Sequence, residues 1–335
     1  MPRRWAKYLD GPWREHVLTK RRSAKSAEAD HKRLAACFSD FWDVRLADLT
    51  GWQIEKWRSK RLKDGVSAGT LNVDRATLRS ALADAVRMGL IASNPLASLR
   101  PLKNPAADGR VRYLEPDERK KLEAALLARD EDLRAARDRH NQWLIERHHA
   151  PAQNLRECAF ADYLRPMFEV SVNTGIRRGE LFSLKWADVD LERRLLTVRA
   201  DTAKAGKTRR IPLNDAALSA LSGWRAQTDG KDLVFPSPQT GGRLDNIRSA
   251  WRRVLKMAGL EDFRWHDLRH EFASRLVMRG VDLNVVRTLL GHADLKMTLR
   301  YAHLAPEHTA EAVGRIDGWG VDNVVAFEAN GQRGE

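Results

Sequence analysis

Tyr301 closes a set of polar residues whose types suit chemistry on a phosphate ester. Arg177 and Arg178 lie in Thr174-Gly175-Ile176-Arg177-Arg178-Gly179-Glu180-Leu181, and His266 and Arg269 lie in Trp265-His266-Asp267-Leu268-Arg269-His270. His292 follows Leu289-Leu290-Gly291, and Thr298-Leu299-Arg300 leads into Tyr301. Guanidinium groups neutralise nonbridging phosphate oxygens, imidazole moves protons at neutral pH, and a phenol oxygen is a nucleophile once its proton has an acceptor.

Each residue also has an ordinary structural explanation. His266 can cap a helix, and Arg269 can pair with Asp267 or Glu271. Arg177 or Arg178 can pair with Glu180 on a surface. His292 can satisfy a carbonyl at a helix end, and Tyr301 can be an amphipathic core residue. A zinc site is a further reading, because His266 and His270 are four apart. Asp267 in place of the glutamate of H-E-x-x-H, the absence of a nearby cysteine, and Arg269 between the histidines all weigh against it. What favours phosphate chemistry is that these groups occur together, and in a basic chain.

The elements that must position these groups read as helical. Leu34, Cys37, Phe38, Phe41 and Trp42 recur at three- and four-residue spacings, predicting a helix over 27–42. Thr50 with Gln53 forms a capping box for a helix carrying Ile54, Trp57 and Leu62, ended by Gly65. Ser67 caps a third helix with Leu71, Leu78, Leu82, Ala85 and Val86, stopped at Gly89. The expected organisation is a basic segment 1–25, a helical domain 26–100, a Pro- and Gly-containing linker 101–112, a second domain 113–305, and an acidic tail 306–335.

Glu115-Pro116-Asp117-Glu118 reads as the acidic first turn of a long helix. His266 and Arg269, three apart on a helix starting near Asp267, project into one cleft. Leu195–Arg199 and Arg209–Leu213 flank Lys204-Ala205-Gly206-Lys207 as a β-hairpin with a basic tip, the clearest sheet signal present. The fold class expected is mainly α with a small antiparallel sheet, an α+β second domain behind an all-helical first one.

Bulk properties narrow the partner. With 335 residues and 43% hydrophobic content the chain can bury a real core. Lysine and arginine number 59 against 45 acidic residues, a net charge of +14 and a pI near 10.1, which points to a polyanion such as nucleic acid. Residues 1–25 carry eight lysines and arginines against two acids, whereas residues 302–335 carry two against six. The basic start is either a solvated tail or an arm that tracks phosphates. On the helical domain, Lys56, Lys60, Arg61, Arg75 and Arg79 are expected on exposed faces as DNA contacts, with Lys207 at the hairpin tip. Cys37 and Cys158 define no disulfide framework, and neither a membrane span nor a signal peptide is apparent, so a cytoplasmic, nucleoid-associated protein is expected.

Taken together, T-G-I-R-R-G-E-L, K-A-G-K-T-R-R-I-P-L, H-D-L-R-H, L-L-G-H and T-L-R-Y-A-H resemble, in order, the boxes of the tyrosine recombinase (phage integrase) family over about residues 110–305. The helical domain before them resembles that family's core-binding domain. The resemblance implies that Arg177 and Arg269 clamp the scissile phosphate, that His266 assists proton transfer, and that His292 hydrogen-bonds the phosphate. It makes Tyr301 the nucleophile that forms a 3′-phosphotyrosine link, and Lys204 the general acid. Lys204 stands eight residues before Pro212, the family's spacing, which sets it ahead of Lys207. Glu180 falls on a position usually structural.

Neither metal, ATP nor another cofactor is called for by this chemistry. The implied partners are double-stranded DNA, a homotetramer on synapsed sites, and accessory DNA-bending or directionality proteins. A type IB topoisomerase and a non-catalytic DNA-binding relative are the alternatives. Residues 128–157 exceed the family's usual short connection as a charged insertion, and too little chain precedes Ala27 for a separate arm-binding domain.

Overall fold

The computed structural model describes residues 4–20, 24–103, 111–200, 206–228 and 230–306. The chain divides into two compact units, Met1–Arg110 and Val111–Glu335.

The first unit is helical. Helix α1 (Trp5–Tyr8) continues through a π-helical turn, Leu9–Trp13, into α2 (Arg14–Lys20), followed by α3 (Ala24–Cys37), α4 (Gly51–Lys63) and α5 (Ala68–Arg87). Treating residues 1–25 as a separate basic segment is corrected for its described part. Trp5, Tyr8, Leu9, Trp13 and Val17 are buried in one core with Leu34, Phe38, Leu71 and Leu82, and the Tyr8 hydroxyl donates to the Ala81 carbonyl at 2.6 Å. The count of charges hides the apolar stripe running between the basic residues. Helix α3 stops at Cys37, because Phe38 leaves helical geometry and a short 3-10 turn follows, so Phe41 and Trp42 are not on the same helix.

The predicted caps are present. Thr50 Oγ1 accepts from the Gln53 backbone while the Gln53 side chain accepts from the Thr50 N–H at 2.8 Å, and Ser67 accepts from Thr70. Gly65 and Gly89 take positive φ after α4 and α5, where a side chain would be strained.

The second unit opens with α6 (Pro116–Ile145), one helix of 30 residues and about 45 Å. The first half buries Leu122, Ala125 and Leu126 in the main core. The second half falls within residues 128–157 and is held by the chain that returns along it. Asn141 exchanges two hydrogen bonds with the Ala152 backbone, at 3.0 and 2.9 Å, and Arg134 donates to the carbonyls of Leu155 and Cys158. Side-chain to main-chain bonds thus do there what apolar packing does nearer the core.

Helix α7 (Leu164–Thr174) is central and packs on α9 (Asp215–Ala226) and α11 (Asp267–Met278). The predicted hairpin is β2 (Leu195–Val198) with β3 (Arg209–Pro212), antiparallel with Leu195 opposite Pro212, and a short edge strand β1 (Val189–Asp190) makes the sheet three-stranded. Inward residues alternate along β3, so Arg209 and Ile211 are buried while Arg210 and Pro212 face out. The short helix α8 (Arg178–Leu181), together with α10 (Arg248–Met257), α12 (Leu283–Leu290) and α13 (Lys296–Leu299), completes the unit. Among the described residues no helix is long and apolar enough to cross a membrane.

Candidate active site

Two helix ends build the site. Helix α7 stops at Gly175, whose φ of 62° lets its N–H return to the Ser171 carbonyl. Helix α12 stops at Gly291, also left-handed, with Gly291 N–H on Thr288 and His292 N–H on Arg287, a Schellman arrangement. Both turns leave main-chain carbonyls at the negative end of a helix, where a cation is favoured.

The two predicted arginines occupy that field. Arg269, 4% exposed, donates to the carbonyls of Gly175 at 2.7 Å and Leu290 at 2.5 Å. Arg177 donates to the Gly291 carbonyl at 3.1 Å and to Glu180 at 3.0 Å. A guanidinium has five N–H donors, so these tethers fix each group and still leave donors for a ligand. Burial, then the nearby Arg177, lower the Arg269 pKa to about 9, which keeps it cationic at neutral pH.

Glu180 and Arg209 form the support beneath. Glu180, 4% exposed, accepts from the Arg177 backbone N–H, from the Arg177 guanidinium, and from both terminal nitrogens of Arg209, at 3.1 and 2.6 Å. Arg209 also donates from Nε to the Leu289 carbonyl at 3.0 Å, so the sheet, α8 and the end of α12 meet on one carboxylate. Burial alone would raise the Glu180 carboxyl, but Arg209 and Arg177 outweigh it and hold it below its ordinary value.

Arg177, His266, Arg269, His270, Gly291, His292, Met297, Arg300 and Tyr301 line a cleft of about 400 Å³. Five of the six residues singled out in the sequence for catalysis are therefore together, although they come from widely separated parts of the chain. Lys204, the sixth, lies outside the described residues. His266 stands just before α11 with its surface open to solvent, and local burial and Arg269 lower its pKa. His292 is fixed by a 2.9 Å hydrogen bond between Nδ1 and Thr298 Oγ1, and burial followed by the arginines Arg269 and Arg177 lowers its pKa to about 3.

Tyr301 is 1% exposed within a small core of Ala273, Val277, Val286 and Leu290, and burial raises its pKa to about 12 against the opposing pull of Arg269 and Arg300. Its hydroxyl is hydrogen-bonded to Nδ1 of His270 at 2.7 Å. His270, Arg300 and Arg209 are site residues that the sequence reading misses. The four-residue spacing of His266 and His270 suggests zinc, yet it is the same spacing that puts His270 on the cleft face. Arg209 is legible as the inward member of the strand alternation.

The surface residues proposed for DNA divide. Lys56, Lys60 and Arg79 are exposed, Lys60 with Asp40 at 3.4 Å; Arg61 is half-buried, and Lys207 is exposed just before β3. Arg75 is corrected: it is 7% exposed and its guanidinium donates to the Leu99 carbonyl at 2.5 Å, holding the chain after α5 against that helix. Its position on the helix turns it inward, which the excess of positive charge does not reveal.

Residues 13–103 match the phage integrase N-terminal domain, and residues 152–308 match the phage integrase family. The integrase of Salmonella phage P22 is 33% identical over 181 residues, half of this chain and 46% of that protein. Tyrosine recombinase XerC of Mycobacterium sp. strain KMS is 32% identical over 270 residues, 77% of this chain and 80% of that protein. XerC of Xanthomonas campestris pv. campestris strain B100 is 29% identical over 90% of this chain and 85% of its own. The fold is shared with the Tn1549 transposon integrase solved with a circular intermediate DNA, at a TM-score of 0.68 and 16% identity over 93% of this chain and 99% of that one. It is shared also with a lambda integrase dimer on a COC′ core site, at 0.66 and 22% identity over 91% and 97%. Matches to both integrase domains in that order, with a relative 32% identical over 80% of its own length, place the chain in the phage integrase family of tyrosine-type site-specific recombinases.

Proposed function

We propose that the chain cuts and rejoins duplex DNA at a defined site with Tyr301 as the nucleophile. The observation that carries this reading is the convergence of Arg177, His266, Arg269, His292 and Tyr301 on one cleft, with both guanidinium groups tethered to helix-end carbonyls. A phosphodiester seated there meets two fixed cations, and charge developing on its nonbridging oxygens meets donors already in place, the arrangement in which one group contributes roughly 3 kcal/mol or more. Tyr301 Oη bonds to phosphorus as the bond to the 5′ oxygen breaks. The phosphotyrosine ester retains the bond energy, so religation by the freed hydroxyl needs no nucleotide triphosphate. His292 supplies a hydrogen bond to the phosphate, and His266 assists proton transfer. The family resemblance gives protonation of the 5′ oxygen to Lys204, with Lys207 the alternative.

Lys56, Lys60, Arg61, Arg79 and Lys207 contact phosphates in this reading, and affinity falls steeply with salt as counterions are released. Lambda integrase, of this fold, has been solved as a tetramer on a Holliday junction, which supports a homotetramer on two synapsed sites here.

The test is covalent capture. The protein is incubated in EDTA with a pool of nicked duplexes randomised around the nick, and protein-linked strands are isolated and sequenced. Wild type captures a defined sequence and Tyr301→Phe captures none. Equal capture by the mutant, or no adduct from wild type on any member of the pool, refutes the assignment.

A further inference from the structure

The cleft holds a group that the roles given above leave unused. His270 follows His266 by one helical turn on α11, and its Nδ1 lies 2.7 Å from the Tyr301 hydroxyl in a buried hydrogen bond. His266 makes no such bond to Tyr301 among the described residues, and its ring stands edge-on to His270 with centroids 5.4 Å apart. Helix α11 is fixed at this point, because the neighbouring Arg269 is tied to the ends of α7 and α12 and Glu271 accepts from the Leu114 N–H at 2.8 Å. The imidazole is thus held on a rigid element, in contact with the atom that must lose a proton.

We propose that His270 takes the proton from the Tyr301 hydroxyl as Tyr301 attacks the phosphate, and returns it when the strand is rejoined. This rests on Tyr301 being the nucleophile. In cleavage the O–H bond of Tyr301 breaks and its proton passes to Nδ1 of His270. The phenolic oxygen bonds to phosphorus, and the bond to the 5′ oxygen breaks, that oxygen being protonated by the general acid. In rejoining every step reverses, and the imidazolium gives the proton back.

Accepting the proton at Nδ1 requires a neutral imidazole that carries its own proton on Nε2, and the surroundings keep the ring neutral. His266 just before α11, Arg269 on it, His292 after α12 and Arg300 beside Tyr301 all face this ring. Burial first, then His266, Arg300 and Arg269, lower its pKa to about 4. Arg269 and Arg300 make imidazolium costly in an empty cleft. An anionic phosphodiester seated between them offsets that cost, so proton acceptance is coupled to substrate, and an unliganded Tyr301 stays a phenol.

The experiment compares wild type, His270→Gln and His270→Ala in single-turnover cleavage of a nicked duplex taken from the captured pool, from pH 6 to 9. Melting curves and non-covalent binding to the same duplex confirm that each variant is folded. The expected result is a rate lower by about 10²–10⁴-fold for His270→Gln, the range for loss of a positioned proton acceptor. The variant rate should rise with pH where wild type is flat, and added imidazole should restore His270→Ala. Cleavage by folded variants at or above the wild-type rate, or a loss that neither pH nor imidazole changes, overturns the proposal and makes the contact a resting clasp. Peptide mapping of the adduct separates the two assignments. An adduct on another residue refutes Tyr301 itself, whereas an adduct on Tyr301 with unaffected His270 variants refutes only the inference.

Discussion

Replacing Glu180 with glutamine tests whether the arginine site stands on a buried carboxylate. The side chain keeps its size and loses its charge, while Arg177 and Arg209, 18% and 7% exposed at their side chains, keep theirs. Four hydrogen bonds converge on the carboxylate. The new amide nitrogen is a donor, so at least one of those bonds becomes a donor facing a donor. Removing one partner of a buried ion pair costs about 3–5 kcal/mol, because the remaining charge stays desolvated. For a unit of this size each kcal/mol moves the melting temperature by about 2–4 °C, so Glu180→Gln should melt roughly 6–20 °C lower. Arg177 keeps its tether to Gly291 but loses the one that sets its angle, and cleavage should fall by on the order of 10²-fold.

The pH dependence gives an independent check. A carboxylate whose folded pKa is depressed stabilises fully above its unfolded value, near 4.5, and loses that contribution as pH falls through the lower folded value. The gap between wild type and Glu180→Gln in urea unfolding should therefore be widest near neutrality and close in strong acid. Combining Glu180→Gln with Arg209→Met removes the second stranded charge, so the double variant should be more stable than the sum of the single losses predicts, by more than about 1 kcal/mol. A single-variant loss below about 1 kcal/mol at pH 7, with additive effects, would refute the argument.

Gly175→Ala combines a positive φ with a Cβ placed 2.5 Å from Phe272 Cδ1 and 3.0 Å from Leu290 Cδ2. Either those side chains or the turn must shift, on top of the backbone strain, and a displaced turn carries the Gly175 carbonyl away from Arg269, so denaturant unfolding should show a loss of about 1–3 kcal/mol and covalent capture should weaken. His292 has a folded pKa of about 3 against an ordinary 6.5, so below pH 6.5 the unfolded chain binds the proton first and stability falls as pH drops toward 3. His292→Gln should make unfolding less sensitive to pH across that window, and an unchanged slope would show that His292 is not held neutral by the fold.

The features legible in the sequence are those that act locally. Thr50 with Gln53, Ser67, Gly65 and Gly89 each work within a few residues of themselves, and their caps and turns stand where the spacing puts them. The hairpin is legible because alternation and a basic turn lie side by side in the chain. The edge strand Val189–Asp190 is not, because two residues carry no period. Residues 4–20 mislead for the opposite reason: their charges stand out in the composition, and Tyr8 is buried where its hydroxyl meets α5, a partner distant in the chain.

The sequence by itself singles out Arg177, His266, Arg269, His292 and Tyr301 as candidates, through the order and spacing of the motifs that carry them. How these side chains meet was decided by tertiary structure alone. Arg177 reaches Gly291 across 114 positions and Arg269 reaches Gly175 across 94; Arg209 meets Glu180 across 29, and His270 meets Tyr301 across 31. Such bonds have no local signature, because any arginine can seek a carbonyl. Only the packing of α7, α11 and α12 brings two helix ends to the Arg177 and Arg269 guanidinium groups, and places a neutral imidazole against the phenol.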